Sequence, residues 1–187
     1  MKNVTESDFQ ALLVDIKKEF PDFEMIEKGK SRRMKALDVF LKIITLGQMR
    51  VFMTRFVTTD GAKVYVPDGW LEEESPASRM ITMRHERVHM RQKARQWFGL
   101  VFTIAYILLW FPIGLAYFRK KWEMEAYEES FRAINEYWGE SELRNEKRRE
   151  HYVKHFTGPS YFWMWPFKKS VEKWYDEAIE RIAKTGK

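Results

Sequence analysis

The chain has 187 residues, a length suited to one domain with its own core, and 33 Lys and Arg stand against 27 Asp and Glu for a formal net charge of +6. Hydrophobic residues make up 45% and aromatics 16%, which excludes a disordered tail. The absence of cysteine excludes disulfides and thiolate metal sites, leaving His, Asp and Glu as metal ligands.

The opening stretch, MKNVTESDFQ, is polar and lacks the apolar core of a signal peptide, so the expectation is cytoplasmic residence. Apolar residues at Phe9, Leu12, Leu13, Ile16 and Phe20 then mark an amphipathic helix, with Thr5 or Ser7 to cap it and Pro21 after its end. Ser31 opens a second helix, RRMKALDVFLKIITL, which Gly47 closes. In MRVFMTRFVTTDGAKVYVP, two runs rich in Val, Phe, Tyr and Thr read as a β-hairpin with Asp60-Gly61 at its turn. A loop leads to a helix over about Arg79 to Trp97, and that helix carries RHERVH.

His85 and His89 are spaced i and i+4, so both can present a ring nitrogen to one metal from one helix face. Zinc suits imidazole, and Glu86 is placed to take a proton from a zinc-activated water. A catalytic site needs a third protein ligand. The helix KKWEMEAYEESFRAINEYW, stopped by Gly139, offers Glu123, Glu125, Glu128 and Glu129. Glu123 shares a mostly apolar stripe with Tyr127, Phe131, Ile134 and Trp138, whereas Glu125 lies with Glu128, Glu129, Arg132 and Glu136 on a charged one. A carboxylate on the apolar stripe is costly unless something pairs it, which singles out Glu123.

An HExxH helix followed by a helix carrying a ligand Glu resembles the gluzincin zinc metallopeptidases. The stretches TTDGAKVYVPDGW, RHERVHMRQ and FRKKWEMEAY also resemble small gluzincin-like proteins of bacteria and phages, over roughly residues 50 to 130. The resemblance implies a zinc-dependent peptidase acting on peptides or proteins, with His85, His89 and Glu123 as zinc ligands and Glu86 as general base. It implies an α+β, mainly helical zincin-like domain over residues 1–187, with a small β-hairpin beside the HExxH helix. It also implies that an edge strand, for which KVYVP is the candidate, binds substrate by strand addition. Tyr127 stands where many gluzincins carry an Asp, four residues after the ligand Glu. A phenol there can orient a ligand histidine but brings no charge.

Residues 98–118 are uncharged, long enough for a membrane span. A straight helix of that length would separate its ends by about 30 Å, whereas His89 before it and Glu123 after it are to reach one ion, so the segment is expected to double back at Pro112 and Gly114, as an apolar hairpin insertion at about 98–120. Arg91, Lys93 and Arg95 precede it and Arg119, Lys120 and Lys121 follow. With the aromatic run YFWMWPF before Lys168 and Lys169, this composition favours peripheral or monotopic attachment to an anionic membrane over a hairpin buried in the core.

In the charged, helical run ESELRNEKRREHYVKHF, His151 and His155 repeat the i,i+4 spacing without an adjacent carboxylate. Three readings compete for them: surface histidines, a transition-state donor, or a second metal site. Tyr161 is a further candidate oxyanion donor, and a last helix starts near Ser170. Two other functions remain: a non-catalytic protein in which zinc only joins two helices, and a nucleic-acid-binding module. The second is weakened because Lys and Arg are interleaved with Glu and form no single patch.

Overall fold

A computed structural model describes residues 2–47, 49–95, 117–158 and 164–185. The protein is α+β: mainly helical, with one three-stranded mixed sheet. The chain divides into two compact units, residues 4–90 and residues 91–187 with the first three.

In the first unit, α1 (Glu6–Glu19) starts at a capping box, Thr5 and Asp8 bonding each other's backbone N–H. Strand β1 (Glu24–Glu27) follows, then a 3-10 turn over Lys28–Lys30 and α2 (Arg32–Ile44), capped by the Ser31 hydroxyl. A short α3 (Phe52–Arg55) takes up the first Val- and Phe-rich run, which the sequence reads as strand. Only Thr58–Asp60 remains as β2, antiparallel to β3 (Lys63–Val66). Asp60 pairs with Lys63, so the two loop residues are Gly61 and Ala62, one position beyond the expected turn, and Gly61 takes the positive φ of 66°.

The sheet order is β1-β3-β2, with β1 parallel to β3. KVYV therefore lies in the middle, hydrogen-bonded on both sides, and cannot add a substrate strand. The cause is β1, whose residues 24–27 pair with 63–66. Met34, Phe52 and Tyr65 form a core beneath the sheet, with Ile26, Leu37, Leu41, Met49, Met53 and Phe56 against it. After α4 (Trp70–Glu73), α5 runs over Pro76–Arg95, and its last five residues belong to the second unit. Glu6 pairs with Arg79, and Glu19 with Arg87 at 2.7 Å, tying both ends of α1 to α5.

The second unit holds α6 (Tyr117–Trp138), α7 (Glu140–Leu143), α8 (Glu146–Thr157) and α9 (Lys168–Thr185). Gly139, at φ 88°, separates α6 from α7, and the Asn145 side chain caps α8. The helices meet on an aromatic core: Phe131 lies 4.9 Å from the Tyr152 ring and 5.0 Å from that of Tyr175, and Phe156 lies 5.2 Å from Trp174. The apolar hairpin expected over 98–120 falls almost wholly outside the described residues. Among the described residues, no helix is long and apolar enough to cross a membrane.

Candidate metal centre

On α5, His85 and His89 are partly buried, and their Nε2 atoms lie 3.0 Å apart with ring planes at 75°. Two zinc–nitrogen bonds of about 2.0–2.1 Å meeting at a tetrahedral angle put their nitrogens about 3.3 Å apart. The pair is about 0.3 Å closer than two such ligands, a distance at which one ring also hydrogen-bonds the other when no ion lies between them.

Glu86 lies about 100° round the helix from His85. It is 6% exposed, and its Oε2 accepts a 2.6 Å hydrogen bond from the Thr59 hydroxyl on β2. One carboxylate oxygen is thereby held by the sheet. Lys28 is fully buried, at 0% exposure, with its Nζ donating to the Phe52 carbonyl at 2.8 Å and lying 3.6 Å from the Phe52 ring centroid. Its turn is anchored where the Gly29 N–H donates to Asp68 Oδ1 at 2.8 Å, and a Cβ on residue 29 would collide with that carboxylate. Burial pushes the Lys28 ammonium down to about 8, against the pull of Glu86 and Asp38.

Lys28 gives the protein an unusual pH response. An unfolded lysine titrates at 10.5, so between pH 8 and 10.5 the unfolded chain holds a proton that the folded chain has released. Raising the pH through that window therefore favours the folded state. Urea unfolding of the parent and of Lys28→Met, followed from pH 7 to 10.5, should show the parent gaining on the variant by a few kcal/mol, at about 1.4 kcal/mol per pKa unit. A constant difference across the window would show that Lys28 titrates normally.

In the second unit, Gln92 stands at the end of α5, seven residues from His85 and three from His89, on their helix face. Its Nε2 donates to the Trp122 carbonyl at 3.1 Å and to Glu125 Oε2 at 2.9 Å, so the end of that face lies against residues 122–125 of α6. Glu123, at 4% exposure, is buried, whereas Glu125 is exposed, the inward and outward orientations that the two stripes imply. His85, His89 and Glu123 are a group of side chains that could hold a metal ion. Two imidazoles and a carboxylate suit zinc.

Tyr127 is buried one turn after Glu123, its ring 5.7 Å from His155 and 5.0 Å from Tyr152. Burial pushes His155 down to about 4, although the Glu123 carboxylate pulls it the other way. His155 is thus packed against α6, while His151, 5.6 Å away ring to ring, is exposed. Among the described residues, these two histidines belong to no group of three metal-ligating side chains. Tyr161 lies outside the described residues.

Comparison with protein-family models, with curated proteins and with solved structures finds no match.

Thr59, Lys28 and Gln92 carry no sequence signal that marks them. Lys28 sits in a charged run, EKGKSRR, where solvent exposure is the default, and Thr59 is one of two adjacent threonines in a strand.

Proposed function

We propose that this protein is a gluzincin-type zinc metallopeptidase with a zincin-like fold, in which His85, His89 and Glu123 hold one zinc ion and Glu86 is the general base. The observation that carries this reading is the His85–His89 pair on α5, its Nε2 atoms 3.0 Å apart, beside the buried carboxylate of Glu86. Zinc held there would polarise a peptide carbonyl and acidify a water molecule. Glu86 accepts the water's proton and later delivers it to the leaving amine, while Thr59 keeps the carboxylate from rotating. Tyr127, one turn after Glu123, and His155, its ring 5.7 Å from that of Tyr127, are the candidates for orienting a ligand or donating to the transition state. Substrate adds as a strand along β2, an edge of the sheet whose own Thr59 touches Glu86.

The site works in the cytoplasm at a membrane face. Support comes from the start of α6 and the loop before α9, where Tyr117, Phe118 and Phe167 are exposed beside Lys168 and Lys169. Lys120, read from the sequence as a headgroup cation, instead places its Nζ 3.6 Å over the Trp165 ring.

The deciding experiment is metal analysis of protein purified without added zinc, joined to a casein-type hydrolysis assay with and without chelator. One zinc per chain with chelator-sensitive hydrolysis supports the peptidase. Zinc that only stabilises the fold, without hydrolysis, would make the site structural. Thr59→Val, which removes the hydroxyl and keeps the shape, should retain zinc and lose about 10- to 100-fold in kcat, the worth of a hydrogen bond to a charged group. Thr59→Ser should keep most of the parent's rate. A Thr59→Val protein with unchanged kcat would remove Thr59 from the machinery.

A further inference from the structure

Helix α2 is apolar on two opposite faces. Met34, Leu37 and Leu41 turn toward the core of the first unit, with Asp38 and Thr45 buried beside them. About 180° away, at 100° per residue, the helix presents Val39, Phe40 and Ile43 to solvent, exposed by 57%, 53% and 67%. Leu46, just past the helix end, continues that face and is 92% exposed. Its position is held by the turn. The Gly47 N–H donates to the Lys42 carbonyl at 2.7 Å, the Thr45 hydroxyl donates to the Leu41 carbonyl at 2.7 Å, and the Met49 N–H donates to the Thr45 hydroxyl at 3.0 Å. Leu46 itself takes a positive φ of 50°, uncommon for a residue with a side chain. A large aliphatic side chain is thus fixed outward in water at some conformational cost.

The borders of this face carry charge of one sign. On the helical wheel Lys35 and Lys42 run along one side and Arg33, whose exposed guanidinium also pairs with Asp60, along the other, with Arg32 at the N-terminal end and Arg50 beyond the turn. Asp38 is the only acid between residues 31 and 50, and it is buried and paired with Lys42 at 2.6 Å. A contiguous apolar strip edged by cations matches the region of an anionic bilayer where acyl chains meet headgroups: the strip enters, and the long cationic side chains reach back to phosphate. A second copy of the chain fits less well. Face-to-face pairing about a two-fold axis would bring cationic borders together. The strip also offers only four large side chains, against roughly 20–30 residues a side in a standard protein interface.

We infer that the solvent-facing side of α2, Val39, Phe40, Ile43 and Leu46 with its border of Lys35, Lys42 and Arg33, docks the protein on an anionic lipid surface. This surface belongs to the first unit, and the inference does not depend on the peptidase reading.

The absence of cysteine allows a clean test on the full chain. Ile43→Cys carries an environment-sensitive fluorophore, and Lys18→Cys, on the exposed side of α1, serves as control. Vesicles of phosphatidylcholine with phosphatidylglycerol should shift the Ile43→Cys emission to the blue and leave the Lys18→Cys label unchanged. Vesicles of phosphatidylcholine alone should shift neither, and added salt should reverse the effect. In flotation, Phe40→Asp with Leu46→Asp should weaken binding to the anionic vesicles by at least about tenfold, with circular dichroism confirming an intact fold. The inference is overturned if the Ile43→Cys label ignores anionic vesicles, or if the double variant floats as the parent does, which would place attachment elsewhere. It is equally overturned if the label becomes buried without lipid as protein concentration rises, the sign of a second copy on this face.

Discussion

Glu86→Gln protein is expected to bind zinc at the parental stoichiometry and to lose about 100- to 10,000-fold in kcat, the usual worth of a positioned general base. Both parts of the result matter. Glu86 is not one of the three proposed ligands, and its carboxylate is held from the sheet by Thr59, so exchanging it for an amide should leave the metal in place. The amide keeps the size and can still accept the Thr59 hydrogen bond, so the fold should survive. What it cannot do is take a proton from water. Loss of zinc along with activity would make Glu86 part of the ligand set, and parental hydrolysis by Glu86→Gln would remove the proposed mechanism.

Glu123→Gln is expected to weaken zinc binding by at least about tenfold, since an amide oxygen is a poor substitute for a carboxylate ligand. Glu125→Gln should change it little. Two residues apart on a helix, the two carboxylates point about 200° from each other and cannot both reach one ion. Their surroundings differ accordingly. Glu123 is buried beside Tyr127, while Glu125 is exposed, accepts a hydrogen bond from Gln92 and has Arg95 at 4.0 Å. Because the Glu125–Gln92 bond joins the end of α5 to α6, Glu125→Gln should cost about 1 kcal/mol of stability or less, through local packing and not through the metal. A zinc-competition titration of both variants decides the matter. The reverse ranking would make Glu125 the ligand, and equal, negligible losses would place the third ligand elsewhere.

Much of what these two experiments address is written in local spacing. An i,i+4 histidine pair must share a helix face wherever the helix lies, and Glu86 must project about 100° from His85. The stripe through Glu123, Tyr127, Phe131, Ile134 and Trp138 likewise predicts burial, because apolar neighbours at helical spacing leave the carboxylate no solvated side; the first four are buried and Trp138 is half-buried. Helix starts were legible for the same reason. Thr5 and Ser31 bond backbone N–H groups only three residues away, so their sequence signature and their structural effect coincide.

Contacts between distant segments left no such trace. The run MRVFMTRFV reads as strand by composition, yet Phe52–Arg55 forms a helical turn that puts Phe52 into the core with Met34 and Tyr65. The parallel pairing of residues 24–27 with 63–66 is specified by the sheet and its packing, and it turns β3 from an expected edge into the centre. Thr59, Lys28 and Gln92 acquire their relation to the site only through chain separations of 27 to 58 residues, over which no periodicity carries information. Helix α2 shows the division in one element. Its sequence by itself determines that apolar side chains surround much of the helix and that cations border one arc, because those follow from 100° per residue. Which apolar arc is covered is a tertiary decision: burial of the Met34 side against Phe52 and Tyr65 leaves Val39, Phe40 and Ile43 in water, since one helix can turn only one side to a given core.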